Sequence, residues 1–142
     1  MTDSTGHSVI VRDSGFLAED WDGDIAPLDA VVAGNATALD LPADADPAVL
    51  APYLDRIALI RVGFGSFADG RGFTLAARLR RMGYTGRLRA AGHVIADQYA
   101  MARRSGFDEV EISADVAARQ PEDQWRARAD WRAHDYQSRL RA

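Results

Sequence analysis

The chain has 142 residues, enough for one domain with a sizeable core, and its 47% hydrophobic and 27% charged content is ordinary for a soluble globular protein. The absence of cysteine excludes disulfides and thiolate-bound zinc or iron, and the absence of lysine excludes Schiff-base chemistry. No apolar run reaches about 18 residues and no secretory signal is visible, so we expect no membrane span and a cytoplasmic protein.

The net charge of −4 is unevenly divided along the chain. Residues 1–70 contain three arginines and twelve acidic residues, a net −9, whereas residues 71–142 contain fourteen arginines and nine acidic residues, a net +5. Arginine matches the geometry of carboxylates and phosphates, so the second half is predicted to bind anions or an acidic partner. An arginine bias of genomic origin is the alternative explanation. The acidic total argues against nucleic acid as a partner.

In chain order, residues 1–29 are predicted to be a polar, partly mobile segment that precedes a single domain at residues 30–142. The apolar run Val9–Val11 is followed by the turn-forming Asp13-Ser14-Gly15, which indicates one arm of a short hairpin.

The domain is predicted to begin with a strand at Thr37–Leu41. Asp46 and Pro47 have the residue types of an N-cap and a first helical position, so a helix is expected from there to about Asp55. Pro52 lies inside this helix and is tolerated only near its first turn.

The stretch from Ile57 to Ile112 indicates the fold class. Short apolar runs alternate there with helix-period segments that end in glycine, the βαβαβ pattern of a parallel sheet. The predicted elements are strands at Ile57–Val62, Gly86–Ala91 and Phe107–Ile112, helices beginning near Asp69 and at Gly92-His93, and a C-terminal helix from Asp115 or Gln120 that docks through its aromatic residues. We therefore predict an α/β domain with about four parallel strands, either doubly wound or half-barrel-like.

Ligands of parallel α/β sheets bind beyond the carboxyl ends of the strands. The turn Asp69-Gly70-Arg71-Gly72 leaves one of these strands and opens a helix. Backbone N–H groups at a helix start bind anions, and Arg71 adds a charged contact, so this turn is the predicted ligand site. A simple tight turn and helix cap is the alternative reading. Arg89 is expected at the same edge.

His93 and Asp97 are the candidate catalytic residues. His93 opens the next predicted helix, and Asp97 follows one turn later, where its carboxylate would orient the imidazole of a general base. The alternative is an ordinary surface histidine. None of the three histidines has the spacing of a metal-binding pair, so no metal site is predicted.

Five ordered segments carry a family resemblance that spans about Leu41 to Gln137. They are Phe67–Thr74, Gly83–Ala90, Gly92–Gln98, Arg104–Asp108 and Tyr136-Gln137. In these segments the sequence resembles a bacterial family of unknown function that is labelled an oxidoreductase of sulfite reduction, because its genes lie beside that of the sulfite reductase haemoprotein. The chain departs from the family pattern at Gly63, Gly65, His93, Ala96 and Ser105, as a divergent member would.

The resemblance implies a role in sulfur assimilation, and it carries over five site residues: Asp69, Arg71, Arg89, Asp97 and Gln98. No nicotinamide, flavin or iron–sulfur motif accompanies them, so no cofactor is assigned and enzymatic activity is left open. We expect an accessory protein that docks on sulfite reductase or on a ferredoxin-type electron donor. The alternative is a small enzyme or sensor that binds an anionic metabolite at the Asp-Gly-Arg-Gly turn.

Overall fold

The structure is a computed structural model that describes residues 8–66 and 70–131, and all six strands in these ranges join one sheet. The strands are β1 (Ser8–Arg12), β2 (Gly15–Leu17), β3 (Ala38–Pro42), β4 (Leu59–Phe64), β5 (Arg87–Gly92) and β6 (Glu109–Ser113). The α-helices are α1 (Leu28–Val32), α2 (Arg71–Arg81), α3 (Tyr99–Ser105), α4 (Ala114–Arg119) and α5 (Glu122–Arg126), and 3-10 helices span Pro47–Arg56 and Ala96–Gln98. None of the helices in these ranges is both long and apolar enough to cross a membrane.

The strand order is β2-β1-β6-β5-β4-β3, and the neighbours from β3 to β6 are parallel. The strands around Ile60, Leu88 and Val110 therefore lie side by side and run in the same direction, as predicted. The result is a mixed α/β domain with a mostly parallel sheet. A doubly wound sheet reverses its strand order at a switch point, whereas these four strands follow one another in chain order, so the doubly wound alternative is not confirmed.

The N-terminal hairpin extends this sheet instead of standing apart from it. β1 and β2 pair antiparallel around the predicted turn, with Arg12 opposite Gly15, and β1 also pairs antiparallel with β6, with Ile10 opposite Glu111. Residues of the predicted N-terminal polar segment are thus built into the sheet of the domain. This pairing joins strands about 100 residues apart, and a local sequence pattern carries no information about such a partner.

The two faces of the sheet have opposite chemical character because side chains alternate along each strand. One face carries the helices and the main apolar core, to which the parallel strands contribute Leu39, Leu41, Ile60, Val62, Leu88, Ala90, Val110 and Ile112. The intervening positions, on the opposite face, include Asp40, Arg61, Arg87, Arg89, Glu109 and Glu111. We call this second face the charged face.

Helix α2 has the predicted amphipathic pattern. Leu75 and Leu79 are buried, and the helix packs against β4 and α3. Its C-cap is Met82, which is half-buried, and Gly83 follows with φ of 100°, a left-handed conformation in which glycine has no steric penalty. The expected glycine stop is therefore confirmed.

The segment after β3 is a 3-10 helix and not an α-helix. Its predicted cap is confirmed, since the Asp46 carboxylate accepts a hydrogen bond of 3.0 Å from the backbone N–H of Ala48, and Pro47 follows at the first position. Pro52 lies in the middle of the segment, where it lacks an N–H and its ring clashes with the preceding turn of an α-helix. The 3-10 geometry is consistent with that restriction.

The helix predicted to begin at Gly92-His93 begins later. Gly92 ends β5 with φ of 100°, and the backbone N–H of His93 bonds the carbonyl of Phe64 at 3.1 Å. The first helical residues are those of the 3-10 helix at Ala96, and α3 follows from Tyr99. His93 consequently lies in a loop, and the prediction that it opens a helix is wrong.

The predicted C-terminal helix is two short helices within residues 114–126. Gln120 separates them, with φ of −127° and ψ of 84°. It precedes Pro121, and the proline ring disfavours helical backbone angles in the residue before it. Trp125 docks as expected: its side chain is 1% exposed, and it meets Tyr99 edge-on with ring centroids 6.2 Å apart. Tyr136, the last predicted aromatic contact, lies outside the described residues.

Candidate functional site

Two depressions flank the carboxyl ends of the parallel strands, where the sequence predicted a site. The first lies between the end of β3 and the start of α2 and has a volume of about 440 Å³. Its polar lining consists of Asp44, Arg71, Thr74 and Arg78. Arg78 also forms an exposed ion pair with Asp46 at 3.9 Å.

The second depression lies beyond β5 and β6 and beside α4, with a volume of about 520 Å³. Its polar lining consists of Ser8, His93, Glu111, Ser113, Asp115 and Arg119. Asp115 and Arg119 form an exposed pair at 3.0 Å, one helical turn apart, so they largely neutralise each other. Ser113 caps α4 by accepting a hydrogen bond from the N–H of Val116 at 3.1 Å.

The predicted Asp-Gly-Arg-Gly turn is only partly involved in the first depression. Arg71 lines it, whereas Asp69 lies outside the described residues. Gly70 is the N-cap of α2. Gly72 is buried against β4, and a Cβ there would lie 2.3 Å from Cζ of Phe64. This glycine is explained by close packing of the helix on the sheet and not by approach to a ligand.

The predicted catalytic pair is not supported by the local backbone. An i, i+4 contact between His93 and Asp97 presumes a helix, and residues 93–95 are not helical. The Asp97 carboxylate instead accepts a hydrogen bond of 2.5 Å from Arg128. The Gln98 side chain accepts one of 3.0 Å from the backbone N–H of Ile95, a capping contact at the start of the 3-10 helix. His93 is exposed and borders the second depression.

Arg89 is buried and does not line the carboxyl edge as predicted. It is the third residue of β5, it is 0% exposed, and its side chain lies on the charged face opposite that of the core residues Leu88 and Ala90. It donates hydrogen bonds to three glutamates, at 2.7 Å to Glu109, 2.7 Å to Glu111, and 2.6 and 2.7 Å to Glu19. The sheet register is the reason, since it places Arg89 directly opposite Glu109.

The ion pairs of Arg89 continue across the charged face. Glu109, also 0% exposed, accepts further hydrogen bonds from Arg12 at 2.9 Å and from Arg87 at 2.8 Å. Arg61 pairs with Asp40 at 2.8 Å and with Glu111 at 3.3 Å. Sequence reasoning missed the glutamates, although the alternation in Arg-Leu-Arg at 87–89 and Glu-Val-Glu at 109–111 is a signal for two complementary strands on one face.

The charges of this network are mutually stabilised. Burial by itself would lower the pKa of Arg89, but its hydrogen bonds to Glu19 and Glu109 raise that pKa above the ordinary value. Burial would likewise raise the pKa of Glu19, but the hydrogen bonds it accepts, chiefly from Arg89, lower it. The hydrogen bond from Arg87 is the main reason that the pKa of Asp20 is lowered. All three groups are therefore charged near neutral pH.

A row of exposed arginines lies on the solvent side of α2. Arg71, Arg78 and Arg81 occupy positions i, i+7 and i+10, within an arc of about 80° on a helix. We call them the α2 arginine stripe. Arg78 forms an exposed ion pair with Asp46 at 3.9 Å, and Arg81 forms no salt bridge with the described residues. Arg80 is different, because it is half-buried and donates to the carbonyls of Tyr84, Gly86 and Gly106.

Metal binding has no candidate among residues 8–66 and 70–131, where no three histidine, aspartate or glutamate side chains come together as a metal-binding group.

Comparison with known proteins identifies one family. A family model described as "Bacterial protein of unknown function (DUF934)" matches residues 38–142. The matched region includes β3 to β6, both helices of the parallel units and the whole α2 arginine stripe. The N-terminal hairpin and Glu19 precede it. No curated protein and no solved structure matches the chain significantly.

Proposed function

We propose that this chain, which belongs to that bacterial family of unknown function, is an accessory protein of assimilatory sulfite reduction that docks on the reductase or on its ferredoxin-type electron donor. The link to sulfite reduction comes from the resemblance carried by the segments between Leu41 and Gln137. The mode of action comes from the surface: a docking protein needs a recognition patch but no redox cofactor of its own.

The α2 arginine stripe is the observation that carries this proposal. Arg71, Arg78 and Arg81 project from one side of a helix that is itself held firmly by the core. The stripe lies in the half of the chain with a net +5. In the same half, Arg87 and Arg89 are buried more deeply and form ion pairs with internal carboxylates. Exposed guanidinium groups on a rigid element attract and orient an acidic partner surface.

Charge reversal in the stripe is expected to weaken docking. We expect the purified chain to bind the reductase haemoprotein or the ferredoxin-type donor at low ionic strength, and Arg78→Glu/Arg81→Glu to weaken that binding at least about tenfold, about 1.4 kcal/mol. Raising the salt concentration should weaken binding of the native chain, because exposed charges are screened beyond about 8 Å at physiological ionic strength. Titration by surface plasmon resonance at several salt concentrations measures both effects.

Arg56→Glu is the control for a single charge reversal outside the stripe, to be compared with Arg78→Glu alone, since Arg56 is exposed but lies on the 3-10 helix near the amino end of β4. This control should bind like the native chain. If neither partner is retained at low salt, the docking proposal is wrong; if Arg56→Glu weakens binding as much as Arg78→Glu alone, the stripe is not the docking surface.

The first depression supports a second candidate function, the binding of a small anion. Arg71, Thr74 and Arg78 line its 440 Å³, and backbone N–H groups at the start of α2 lie beside them. A ligand that binds only the folded state raises the free energy of unfolding, and at concentrations well above Kd this increase grows with the logarithm of the ratio of ligand concentration to Kd. This candidate describes a sensor or small enzyme that recognises a sulfate-like or phosphorylated metabolite.

A thermal shift tests the second candidate. Sulfate or phosphate at a concentration of about 100 Kd should add about 2.7 kcal/mol to the free energy of unfolding and raise Tm by several degrees. Arg71→Ala should abolish the rise, and Arg56→Ala should retain it. Chloride at equal ionic strength separates binding from screening. A rise of equal size in Arg71→Ala, or no rise with any anion, would exclude this site.

A further inference from the structure

Residues 18–25 form a strap across the charged face of the sheet. The strap leaves β2 at one edge after Leu17 and ends at Ala26, which pairs with Leu39 of β3 at the opposite edge. This path crosses six strand spacings, about 29 Å. Nine residue steps span at most about 32 Å when fully extended. The strap therefore reaches across the whole width of the sheet within nine residue steps, with a bend at Gly23.

Side chains, and not backbone pairing, hold the strap closed. Among the described residues, no backbone–backbone hydrogen bond involves residues 18–25. Two adjacent carboxylates anchor it instead: Glu19 accepts a two-pronged contact from Arg89, and Asp20 accepts hydrogen bonds from Arg87 at 2.5 Å and from Arg12 at 3.3 Å. Segments with few backbone hydrogen bonds open most readily.

Closure of the strap also has an unfavourable element. The indole Nε1 of Trp21 is buried and has no hydrogen-bond acceptor among the described residues. A buried donor without a partner loses its bonds to water and regains none, so the open state of the strap recovers this loss. The same strap thus contains two charged anchors, Glu19 and the more exposed Asp20, and one group that disfavours the closed state.

The surface below the strap is suited to acidic ligands. Arg12, Arg87 and Arg89 converge there on the carboxylate of Glu109. Opening the strap removes Glu19 and Asp20 from these arginines. Nη2 of Arg89 then loses its Glu19 acceptor, whereas Nη1 loses Glu19 and keeps Glu111. A ligand that replaces the strap at these arginines therefore needs the same chemistry as the strap: an extended peptide with two neighbouring carboxylates.

We propose that the strap is a self-supplied ligand that occupies a peptide-binding site, and that an extended acidic segment of a partner protein binds Arg12, Arg87 and Arg89 when it displaces Glu19 and Asp20. The strap thereby sets the threshold for binding, because any partner segment competes with carboxylates that are tethered to the site at high effective concentration. This site is on the charged face, whereas the α2 arginine stripe is on the helix-covered side, so the two can fail independently.

The test uses a labelled peptide with the sequence of residues 17–25 and the full chain carrying Glu19→Gln/Asp20→Asn. Fluorescence anisotropy should show this variant binding the peptide at least tenfold more tightly than the native chain, since its own strap no longer competes. A peptide in which the Glu19 and Asp20 positions are Gln and Asn should bind at least tenfold more weakly. Neither reductase nor ferredoxin is present, so the result is separate from that of the docking experiment.

Two further variants keep the test decisive. Asp22→Asn/Asp24→Asn removes the same charge from the strap without touching the three arginines, and it should bind the peptide like the native chain. Asp20→Asn alone, at an exposed anchor, should give an intermediate gain even if the double variant does not fold. The proposal is overturned if Asp20→Asn and the double variant gain no affinity, if the Gln/Asn peptide binds equally well, or if Asp22→Asn/Asp24→Asn gains as much.

Discussion

Replacement of Arg89 by methionine is expected to lower the free energy of unfolding by about 3–5 kcal/mol, which is large for a single substitution. Methionine retains the length of the aliphatic part of the side chain, so little packing is lost. The loss comes from Glu109, which is 0% exposed and would keep only its contacts with Arg12 and Arg87. Glu111 and Glu19 would lose a partner at the same time.

Urea unfolding of the native chain, Arg89→Met and Arg119→Met measures this effect. Arg119 is the matched control, since its pair with Asp115 is 68% and 80% exposed and should contribute within about 0.5 kcal/mol. Equal slopes of the unfolding curves would show that the midpoint difference reports stability. A loss below about 1 kcal/mol in Arg89→Met would mean that the charges of this face rearrange or admit water, contrary to the buried network described above.

Replacement of Trp125 by alanine is expected to cost about 3–5 kcal/mol as well, through a cavity and not through charge. Trp125 is 1% exposed, packs edge-on against Tyr99, and donates its Nε1–H to the carbonyl of Gln120 at 2.9 Å. It belongs to a helix of only five residues that has little stability of its own. The substitution should therefore release α5 from the domain.

Trp125→Phe separates the two contributions of this side chain. Phenylalanine keeps most of the apolar contact and loses the hydrogen bond to Gln120, so a cost of about 1–2 kcal/mol is expected. Thermal and urea unfolding give the size of both effects, and amide hydrogen exchange of residues 122–126 shows whether α5 detaches. Trp125→Ala with native stability and unchanged exchange would mean that α5 docks without this residue.

Arg89→Met and Trp125→Ala act on opposite faces of the same sheet, and each tests a different kind of stabilising interaction. The helix-covered face is an apolar core of ordinary type, to which Trp125 belongs. The charged face is stabilised by ion pairs that depend on one another. Removal of one member leaves buried charges without a partner, so the loss in free energy of unfolding exceeds the net contribution of the whole network. Arg89 is also central to the proposed peptide site, and Arg89→Met should therefore lose peptide binding together with stability.

Local patterns accounted for much of the fold. The period of the apolar residues indicated the parallel strands around Ile60, Leu88 and Val110, and the glycine after α2 marked its end. Asp46 and Pro47 marked the start of the 3-10 helix. These predictions succeed because each depends on residues close together in sequence, whose backbone preferences and burial pattern do not need a distant partner.

The candidate site was predictable only in its location. Arg71 and His93 do border depressions at the carboxyl edge, as the parallel sheet requires. The proposed His93–Asp97 geometry presumed a helix that the left-handed Gly92 and the following loop replace. Asp97 instead accepts a hydrogen bond from Arg128, which is distant in sequence, and Gln98 accepts one from the backbone N–H of nearby Ile95.

The sequence by itself determined the alternation of strand and helix, the parallel direction of the central strands and the surplus of arginine in the second half of the chain. Only the tertiary structure decided which arginines are available to a partner. Arg89 and Arg78 are the same residue type in neighbouring elements, yet one is enclosed by glutamates and the other faces solvent. The difference arises from strand register and from the strap, both of which join residues far apart in sequence, where local propensity has no influence.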